Sequence, residues 1–303
     1  MKLHFEDDRK RYQPDPFIFE VGGRYYMYVT AHNGVEAYSA DTPFSKWHFE
    51  GVVCKMDGWE EYWAPCIIEH EGWFYLYYSC YSDTMPQCLH VSRAKTPLGP
   101  FEGTKRLFDI FTIDAHVVKT NAGLFLWYAA DNLMAEKVGT RIFVDKLLDP
   151  YTPSYHPIEA VLPTMDEEIF KRNRYGDGVD YYTIEGPFWL AVGGWQYVMY
   201  SGGCYENDTY HIGYCAAKTE EADLTKVQYV KHTKNGRFDP LLFRNEFEEG
   251  TGHHSVIEYQ GAYYAVYHGR DLAAGKGEQR TARICKLIIE NGIITAERYA
   301  DKV

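Results

Sequence analysis

One residue pattern occurs five times along the chain, and it restricts the fold more than any other feature of the sequence. Each copy begins with a short apolar stretch, passes through a Gly-containing turn and continues as a second, aromatic stretch. Such a pattern is typical of a β-hairpin. The copies start near residues 15, 64, 114, 186 and 253, so the first three are about 50 residues apart.

The spacing of these copies predicts a propeller. A repeat of roughly 40–50 residues with several strands in each unit is typical of β-propellers, and further strand candidates lie at residues 48–53 and 227–230. We therefore predict an all-β, five-bladed β-propeller with four-stranded antiparallel blades around a central channel, and with residues 1–303 forming one domain. A β-sandwich or jelly roll is the alternative, but neither would explain five copies of one hairpin.

Charge and composition argue against several classes of protein. The net charge is −12 and no basic stripe is present, whereas a nucleic-acid-binding protein normally has one. No apolar run approaches the length of a membrane span, so we expect neither nucleic acid nor membrane as a partner. Aromatic residues make up 17% of the chain, with 27 Tyr. That is more aromatic surface than a core needs, and it suits the apolar faces of sugar rings.

The N-terminus and the cysteines predict a cytoplasmic location. The first eight residues contain no apolar core of a signal peptide. The seven Cys are scattered, odd in number and without a CxxC pair. This arrangement indicates reduced thiols, not a disulfide framework or a zinc site.

The starts of the five copies hold the candidate functional residues. In a propeller the innermost strand of each blade lines the central channel, so equivalent positions converge at one mouth. We align five residues at these positions, namely Asp15, Ala64 (which follows Trp63), Asp114, Glu185 and His253. The alignment predicts that three carboxyl groups, a tryptophan and a histidine meet at one end of the axis.

Three converging carboxyl groups suit the hydrolysis of a glycosidic bond. That reaction needs one carboxylic acid to protonate the leaving oxygen and one carboxylate to activate water or attack the sugar. A third carboxylate raises the pKa of the acid by repulsion. Asp15 lies between two prolines, on stiff backbone, and Glu185 lies in an apolar segment that favours a raised pKa. The chemistry alone leaves the three roles open.

The same residues resemble the motifs of glycoside hydrolase family 43, and the resemblance extends over nearly the whole chain. Six motifs occur in order: Pro14-Asp15-Pro16-Phe17, Trp63-Ala64-Pro65, Ile113-Asp114-Ala115, Ile184-Glu185-Gly186-Pro187, Gly250-Thr251-Gly252-His253 and Arg280-Thr281-Ala282-Arg283. The resemblance implies a five-bladed propeller and an inverting mechanism. It also implies that Asp15 is the general base, Glu185 the general acid, and Asp114 the residue that orients the acid and tunes its pKa.

Further positions follow from the resemblance. It implies that His32 lines the innermost sugar pocket, that Trp63 stacks against a sugar, and that Arg280 binds sugar hydroxyls, with Arg270 and Arg283 as rivals. His253 resembles a channel histidine that contacts the substrate side of the channel and binds a calcium ion or water. No cofactor is expected for the chemistry itself, and Ca²⁺ prefers oxygen ligands, so water is the alternative to the metal at His253.

The predicted function is that of an exo-acting, inverting glycosidase that removes terminal α-L-arabinofuranosyl units from arabino- or arabinoxylo-oligosaccharides. β-Xylosidase and endo-arabinanase activities are the alternatives within the family, and a non-catalytic propeller that binds carbohydrate or protein is the alternative outside it. Residues 150–180, rich in Pro, Tyr and charge, are interpreted as an insertion that closes the pocket. A partner subunit of a homo-oligomer is the other candidate for that closure.

Overall fold

The structure is a computed structural model that describes residues 1–7, 12–272 and 279–299. Its regular elements are 23 β-strands and two short 3-10 helices, Asp166–Glu168 and Leu224–Lys226. None of the helices in these ranges has the length and apolar character that a membrane-spanning helix needs.

Four of the sheets are four-stranded antiparallel blades, each with its strands in sequence order. Blade I contains β1 (Phe17–Val21), β2 (Arg24–Val29), β3 (Val35–Ala40) and β4 (His48–Cys54). Blade II contains β5 (Glu60–His70), β6 (Trp73–Ser82), β7 (Met85–Ala94) and β8 (Glu102–Arg106). Blade III contains β16 (Ile184–Val192), β17 (Trp195–Gly202), β18 (His211–Lys218) and β19 (Val230–Lys231). Blade IV contains β20 (Glu248–Tyr259), β21 (Ala262–Asp271), β22 (Thr281–Glu290) and β23 (Ile293–Glu297).

The remaining sheet has seven strands and is not a blade of the predicted kind. It contains β9 (Thr112–Thr120), β10 (Gly123–Asn132), β11 (Gly139–Asp149), β12 (Thr152–Pro153), β13 (Ile158–Val161), β14 (Ile169–Lys171) and β15 (Tyr181–Tyr182). Strands β12, β13 and β15 all pair with β11, at different points along its length. This curled sheet lies between blades II and III in chain order.

The prediction of five four-stranded blades is therefore wrong. The fold is a propeller of four blades with the curled sheet as its fifth element. The repeated pattern identifies only the two inner strands of each sheet, and that hairpin is present in all five sheets. The outer strands carry no such signal. Residues 152–182, which include most of the proposed insertion, add four short strands beyond β11 where a blade would have one.

The apolar core lies between the sheets. Five clusters of buried side chains each join two neighbouring sheets, for example Tyr77 of blade II with Leu126 of the curled sheet, or Met27 of blade I with Ile284 of blade IV. Burial of these aromatic and aliphatic faces supplies the main driving force for packing the sheets side by side. The N-terminal segment pairs with β22 of blade IV. The N–H of Leu3 donates to the carbonyl of Ala282, and the N–H of Ile284 donates to the carbonyl of Met1, which links the N-terminus to blade IV.

All seven cysteines are free and buried, as the sequence predicts for reduced thiols. Burial raises the pKa of Cys66 and of Cys215 to about 12. These thiols therefore stay protonated at neutral pH and pack as small apolar side chains.

The curled sheet depends on one glycine at its edge, which gives a first prediction. Gly139 has a φ of 137°, and a Cβ at that position would overlap the backbone carbonyl of Tyr182, the residue with which it pairs across β11 and β15. Gly139→Ala should therefore lower the free energy of unfolding by at least about 2 kcal/mol, because backbone cannot move aside as a flexible side chain can. Chemical denaturation measures this change.

Gly123→Ala is the matched control. Its φ of 122° is similarly unfavourable, but the nearest atom to an added Cβ is the end of the Lys146 side chain, at 3.6 Å. That variant should lose only about 1 kcal/mol, the cost of the backbone conformation itself. Equal losses for the two variants would show that the close approach of β15 to β11 contributes nothing to stability.

Candidate active site

The five inner strands share one backbone irregularity at the same end of the channel. In each sheet the residue at one equivalent position adopts a left-handed conformation, with φ between 41° and 61°. The five residues are Asp15, Ala64, Asp114, Gly186 and His253. In the four sheets where the residue lies within the inner strand, the pairing register shifts at this point. These features are typical of a β-bulge, which redirects side chains and recurs beside active sites.

Side chains of neighbouring sheets accept hydrogen bonds from these bulges. The N–H of Ala64 donates to Oγ1 of Thr30 at 2.8 Å, and the N–H of Gly186 donates to Oδ2 of Asp114 at 2.9 Å. The N–H of His253 donates to Oγ of Ser201 at 2.8 Å, and the N–H of Asp15 donates to Nδ1 of His268 at 3.1 Å. The bulges are thus tied to one another around the axis, and buried N–H groups are satisfied.

The bulges correct the alignment made from the sequence. Gly186, not Glu185, is equivalent to Asp15, Asp114 and His253. Glu185 lies one residue earlier, where Trp63 lies in blade II, and both residues pair with a serine of the following strand immediately before the register shift. The side chain of Glu185 therefore enters the site from the position before the bulge, whereas those of Asp15 and Asp114 enter from the bulge itself.

All seven predicted site residues line one cavity of about 550 Å³ at this mouth of the channel. They are Asp15, His32, Trp63, Asp114, Glu185, His253 and Arg280. A volume of this size lies within the roughly 300–1,000 Å³ range of small-molecule sites. Sequence reasoning did not find the other polar and aromatic residues of the lining, which are Tyr12, Thr30, Glu36, Glu61, Tyr205 and Tyr210.

Asp15 is buried yet held in its charged form. Burial by itself would raise its pKa, but the charges of Arg280 and His253 and the hydrogen bond of His268 together outweigh this effect, and the pKa lies well below its ordinary value. Nη1 of Arg280 donates to Oδ1 of Asp15 at 3.2 Å, and Oγ1 of Thr30 donates to Oδ2 at 2.6 Å. An ionised carboxylate of this kind can accept a proton from water during a reaction.

Asp114 and Glu185 show the opposite behaviour. Burial raises the pKa of Asp114, and repulsion from Glu185 and Asp15 raises it further. Burial likewise raises the pKa of Glu185, to about 7. Because two buried carboxylates that repel each other do not both ionise easily, the pair holds a proton at neutral pH and titrates as one unit. A carboxyl group that is partly protonated near pH 7 can act as a general acid.

Tyr210 is the direct hydrogen-bond partner of Glu185. Its hydroxyl donates to Oε1 of Glu185 at 2.6 Å, and this bond lowers the pKa of the carboxyl group against the larger effect of burial. The ring of Tyr210 stacks on His268, with the ring centroids 5.6 Å apart. On its other side lies Gly252, where a Cβ would overlap the ring. The second glycine of the Gly250-Thr251-Gly252-His253 motif thus makes room for the partner of Glu185.

His253 lies between the carboxyl groups, and its role as a metal ligand stays a prediction. Its Nδ1 lies 3.5 Å from Oδ1 of Asp15 and 3.7 Å from Oδ2 of Asp114, while burial lowers its pKa and favours the neutral ring. No group of three or more His, Cys, Asp or Glu side chains within residues 1–7, 12–272 and 279–299 has the spacing of metal ligands. The small void beside it is lined by the imidazoles of His116 and His254 as well as by the carboxyl groups of Asp15 and Asp114, so imidazoles outnumber carboxyl groups there, whereas calcium prefers oxygen. The residues present therefore fit a calcium ion poorly.

His32 and Trp63 lie on one side of the cavity and are oriented by one glutamate. Nδ1 of His32 lies 2.6 Å from Oε1 of Glu61, and Nε1 of Trp63 donates to Oε2 of the same carboxylate at 3.0 Å. The N–H of Glu61 also donates to the carbonyl of His32. Glu61 therefore fixes two predicted sugar contacts relative to each other, although no repeated motif marks it in the sequence.

The three candidate arginines have different surroundings. Arg280 reaches the cavity, where it pairs with Asp15 and lies 4.8 Å from the ring centroid of Tyr205. Arg283 instead pairs with Glu248 at 3.2 Å and Asp271 at 2.8 Å. Arg270 is fully buried and donates to the carbonyls of residues 205 and 207. Of the three, only Arg280 lines the cavity.

Comparison with known proteins identifies the family. A family model described as "Glycosyl hydrolases family 43" matches residues 10–294. An "Extracellular exo-alpha-(1->5)-L-arabinofuranosidase" of Streptomyces avermitilis is 26% identical over 290 residues, covering 87% of this chain and 56% of that protein. The enzyme ArbA of Cellvibrio japonicus, which carries the same description, is 24% identical over 289 residues, covering 86% and 79%. This chain thus spans little more than half the length of the Streptomyces relative.

Two further proteins extend the comparison. A "Xylosidase/arabinosidase 43A" of Humicola insolens is 22% identical over 323 residues, covering 95% of this chain and 97% of that protein. Among solved structures, a thermostable family-43 glycoside hydrolase superposes with a TM-score of 0.84 at 26% identity and covers 99% of this chain and 97% of that one.

These relatives contradict the predicted cytoplasmic location, because both exo-arabinofuranosidases are named as extracellular enzymes. The prediction rested on the lack of an apolar leader in the first residues, and that lack does not decide where a chain resides. The prediction of the family, in contrast, is confirmed. Since the family model spans residues 10–294 of the 303, the chain belongs to glycosyl hydrolase family 43 and is a glycosidase.

Proposed function

We propose that the protein is an exo-acting, inverting α-L-arabinofuranosidase that removes terminal arabinofuranosyl units from short arabinose-containing oligosaccharides. One observation carries the proposal: a single small cavity holds one carboxyl group with a lowered pKa and two whose pKa values are raised. This separation is what a base and an acid require at the same pH. The names of the Streptomyces and Cellvibrio relatives support the sugar and the exo mode.

The roles follow from the surroundings of each carboxyl group. Asp15, ionised and held by Arg280 and Thr30, activates the attacking water by accepting its proton. Glu185, with a pKa of about 7, donates a proton to the leaving oxygen as the glycosidic bond breaks. The activated water attacks the opposite face of the sugar ring in the same displacement, so no covalent glycosyl-enzyme intermediate forms. Asp114 accepts a hydrogen bond from the N–H of Gly186, the residue after Glu185, and its carboxylate is repelled by that of Glu185. Its role is to keep the acid protonated and placed.

Tyr210 orients the carboxyl group of the general acid, Glu185. Its hydroxyl donates to Oε1 of Glu185, and no hydrogen bond within the described ranges involves Oε2. The acidic proton is therefore carried on Oε2, the oxygen that is not already accepting a hydrogen bond. The bond from Tyr210 also stabilises the carboxylate that forms after proton transfer, and so opposes the rise in pKa that desolvation in the cavity causes.

β-Xylosidase activity is the second candidate. Xylose and arabinofuranose are similar in size and in hydroxyl pattern, and the name of the Humicola relative includes both activities. The discriminating experiment is an assay of the purified protein on 4-nitrophenyl α-L-arabinofuranoside and 4-nitrophenyl β-D-xyloside. We expect kcat/KM to be at least about tenfold higher on the arabinofuranoside, a difference of about 1.4 kcal/mol in transition-state binding. A higher value on the xyloside would reverse the assignment, and hydrolysis of neither would reject both.

Tyr210→Phe tests whether the hydroxyl of Tyr210 orients Glu185 and lowers its pKa. The variant keeps the ring against His268 and Gly252 and removes only the hydroxyl, so the pKa of Glu185 should rise. The alkaline limb of the kcat/KM profile should move to higher pH by about one unit, since a hydrogen bond to a charged group contributes about 1.5–3 kcal/mol and one pKa unit equals about 1.4 kcal/mol. Natural substrates with poor leaving groups should lose more activity than nitrophenyl glycosides, which need less protonation.

Tyr28→Phe is the control for this experiment. Tyr28 is also fully buried, and its hydroxyl donates to the carbonyl of Pro97, outside the cavity. It should lose stability without any shift in the pH profile. If Tyr210→Phe likewise leaves the alkaline limb where it is in the wild type, Tyr210 has a structural role only.

A further inference from the structure

A second cleft lies beside the cavity, and none of the roles described so far uses it. It has a volume of about 280 Å³ and is formed by the segment around β14, the turn between β17 and β18, and the connection that leads to β20. Three phenylalanines, Phe170, Phe238 and Phe243, line it together with polar side chains. The polar and remaining lining residues are Asp166, Glu167, Ile169, Arg172, Asn207 and Thr209.

One turn, residues 203–209, separates the cleft from the cavity. Tyr205 of this turn lines the cavity, while Asn207 and Thr209 line the cleft. The ring of Tyr205 also stacks on Phe170, with the centroids 6.3 Å apart and the planes inclined by 29°. A continuous aromatic surface therefore leads from Arg280 in the cavity, over Tyr205, to Phe170 in the cleft.

The turn is held rigidly, so the two concavities keep a fixed relation. The fully buried Arg270 donates to the carbonyl of Tyr205 at 2.6 Å and to that of Asn207 at 2.7 Å. Within the turn, the N–H of Cys204 donates to Oγ1 of Thr209, and the N–H of Thr209 donates to Oδ1 of Asn207. A preformed site of this kind costs little ordering when a ligand binds.

The lining favours a neutral ligand with both apolar faces and hydroxyl groups. Phe238 and Phe243 meet edge to face, with their ring centroids 5.7 Å apart, and the buried ring of His211 packs against both. Arg172 pairs with Asp166 at 3.2 Å and Asp180 at 2.8 Å, and Glu167 adds a further carboxylate to the lining, so the cleft disfavours an anionic ligand. Rigid aromatic walls with hydrogen-bonding groups at their edges are suited to sugar rings, and the volume suits one or two of them.

We propose that this cleft binds the part of a neutral oligosaccharide that lies beyond the cleaved bond, so that the chain passes from the cavity over Tyr205 and Phe170. The proposal rests on the proposed function, because the same oligosaccharide must occupy the cavity. It also gives the segment that contains β14 a role in binding the oligosaccharide, whereas the sequence predicted that this segment closes the pocket. None of residues 150–180 lines the cavity, but Phe170 supports its Tyr205 wall and lines the cleft.

The kinetic test compares substrates of different length. In the wild type, kcat/KM on α-1,5-linked arabino-oligosaccharides should rise from two to about four units as the chain reaches the cleft. Phe243→Ala should lower kcat/KM on the longer oligosaccharides by about three- to tenfold, the value of one well-packed aromatic contact. It should leave hydrolysis of the short nitrophenyl arabinofuranoside unchanged. Phe243→Leu, which keeps apolar volume but lacks the ring face, should show most of the same loss and guards against a folding defect.

Phe44→Ala is the matched control. Phe44 is a partly exposed phenylalanine in the turn that follows β3, packed on Tyr259 and Tyr264. The turn lies at the opposite end of blade I from His32 and the cavity. Phe44→Ala should change kcat/KM on neither the short nor the long substrates. A dependence on chain length that is the same in Phe243→Ala as in the wild type would overturn the proposal.

A binding measurement separates this proposal from the proposed function. Calorimetric titration of Glu185→Gln with arabinotetraose and with xylotetraose requires no turnover. We expect Kd for the preferred tetraose to rise by about three- to tenfold when Phe243→Ala is added. Equal affinities with and without Phe243 would reject the cleft even if the enzyme is an arabinofuranosidase. Loss of affinity only for xylotetraose would keep the cleft and reject the arabinose assignment.

Discussion

The site depends on the left-handed bulge that recurs at the mouth of each inner strand. A non-glycine residue in this conformation costs about 1–2 kcal/mol, and four of the five positions hold one. The cost is offset where a side chain of another sheet accepts the bulge N–H, as Thr30, Asp114, Ser201 and His268 do. The same contacts that relieve the strain also set the angles at which the sheets meet. The same hydrogen bonds therefore join neighbouring sheets and place the catalytic side chains.

This arrangement makes Asp114 a structural and an electrostatic residue at once. Its Oδ2 accepts the N–H of Gly186, the residue next to Glu185, so it fixes the backbone that presents the acid. Repulsion from Glu185 adds to the effect of burial and raises the pKa of Asp114, while burial and the charge of Asp15 raise the pKa of Glu185. The pKa of Asp15 is lowered instead, because Arg280, His253 and His268 all lie beside its carboxylate. These three carboxyl groups of one cavity thus differ in protonation because their charged and hydrogen-bonding neighbours differ.

The hairpins and three carboxyl groups could be predicted because they belong to a repeated pattern. The repeat aligned Asp15 with Asp114 correctly but misplaced Glu185 by one residue, since Gly186 shows its left-handed conformation only in the structure. The outer strands of the curled sheet could not be predicted, because β12 to β15 are two to four residues long, and three of them pair with β11 at separate points while β14 pairs with β15. Tyr210, Glu61 and Thr30 were missed for another reason. Thr30 follows β2, Tyr210 precedes β18, and Glu61 lies in β5 but outside the repeated motif. Nothing distinguishes Tyr210 from 26 other tyrosines in the sequence.

The central claim is that Asp114 and Glu185 hold one proton between them at neutral pH, and the pH profile of Asp114→Asn tests it most directly. The substitution removes the charge and keeps the shape, so the pKa of Glu185 should fall, and its proton should be lost at lower pH. The alkaline limb of kcat/KM should then move toward acid, with activity reduced severalfold at pH 7 and partly recovered near pH 5. An alkaline limb that stays at the wild-type position would contradict the shared proton and leave Asp114 as a bracing residue alone.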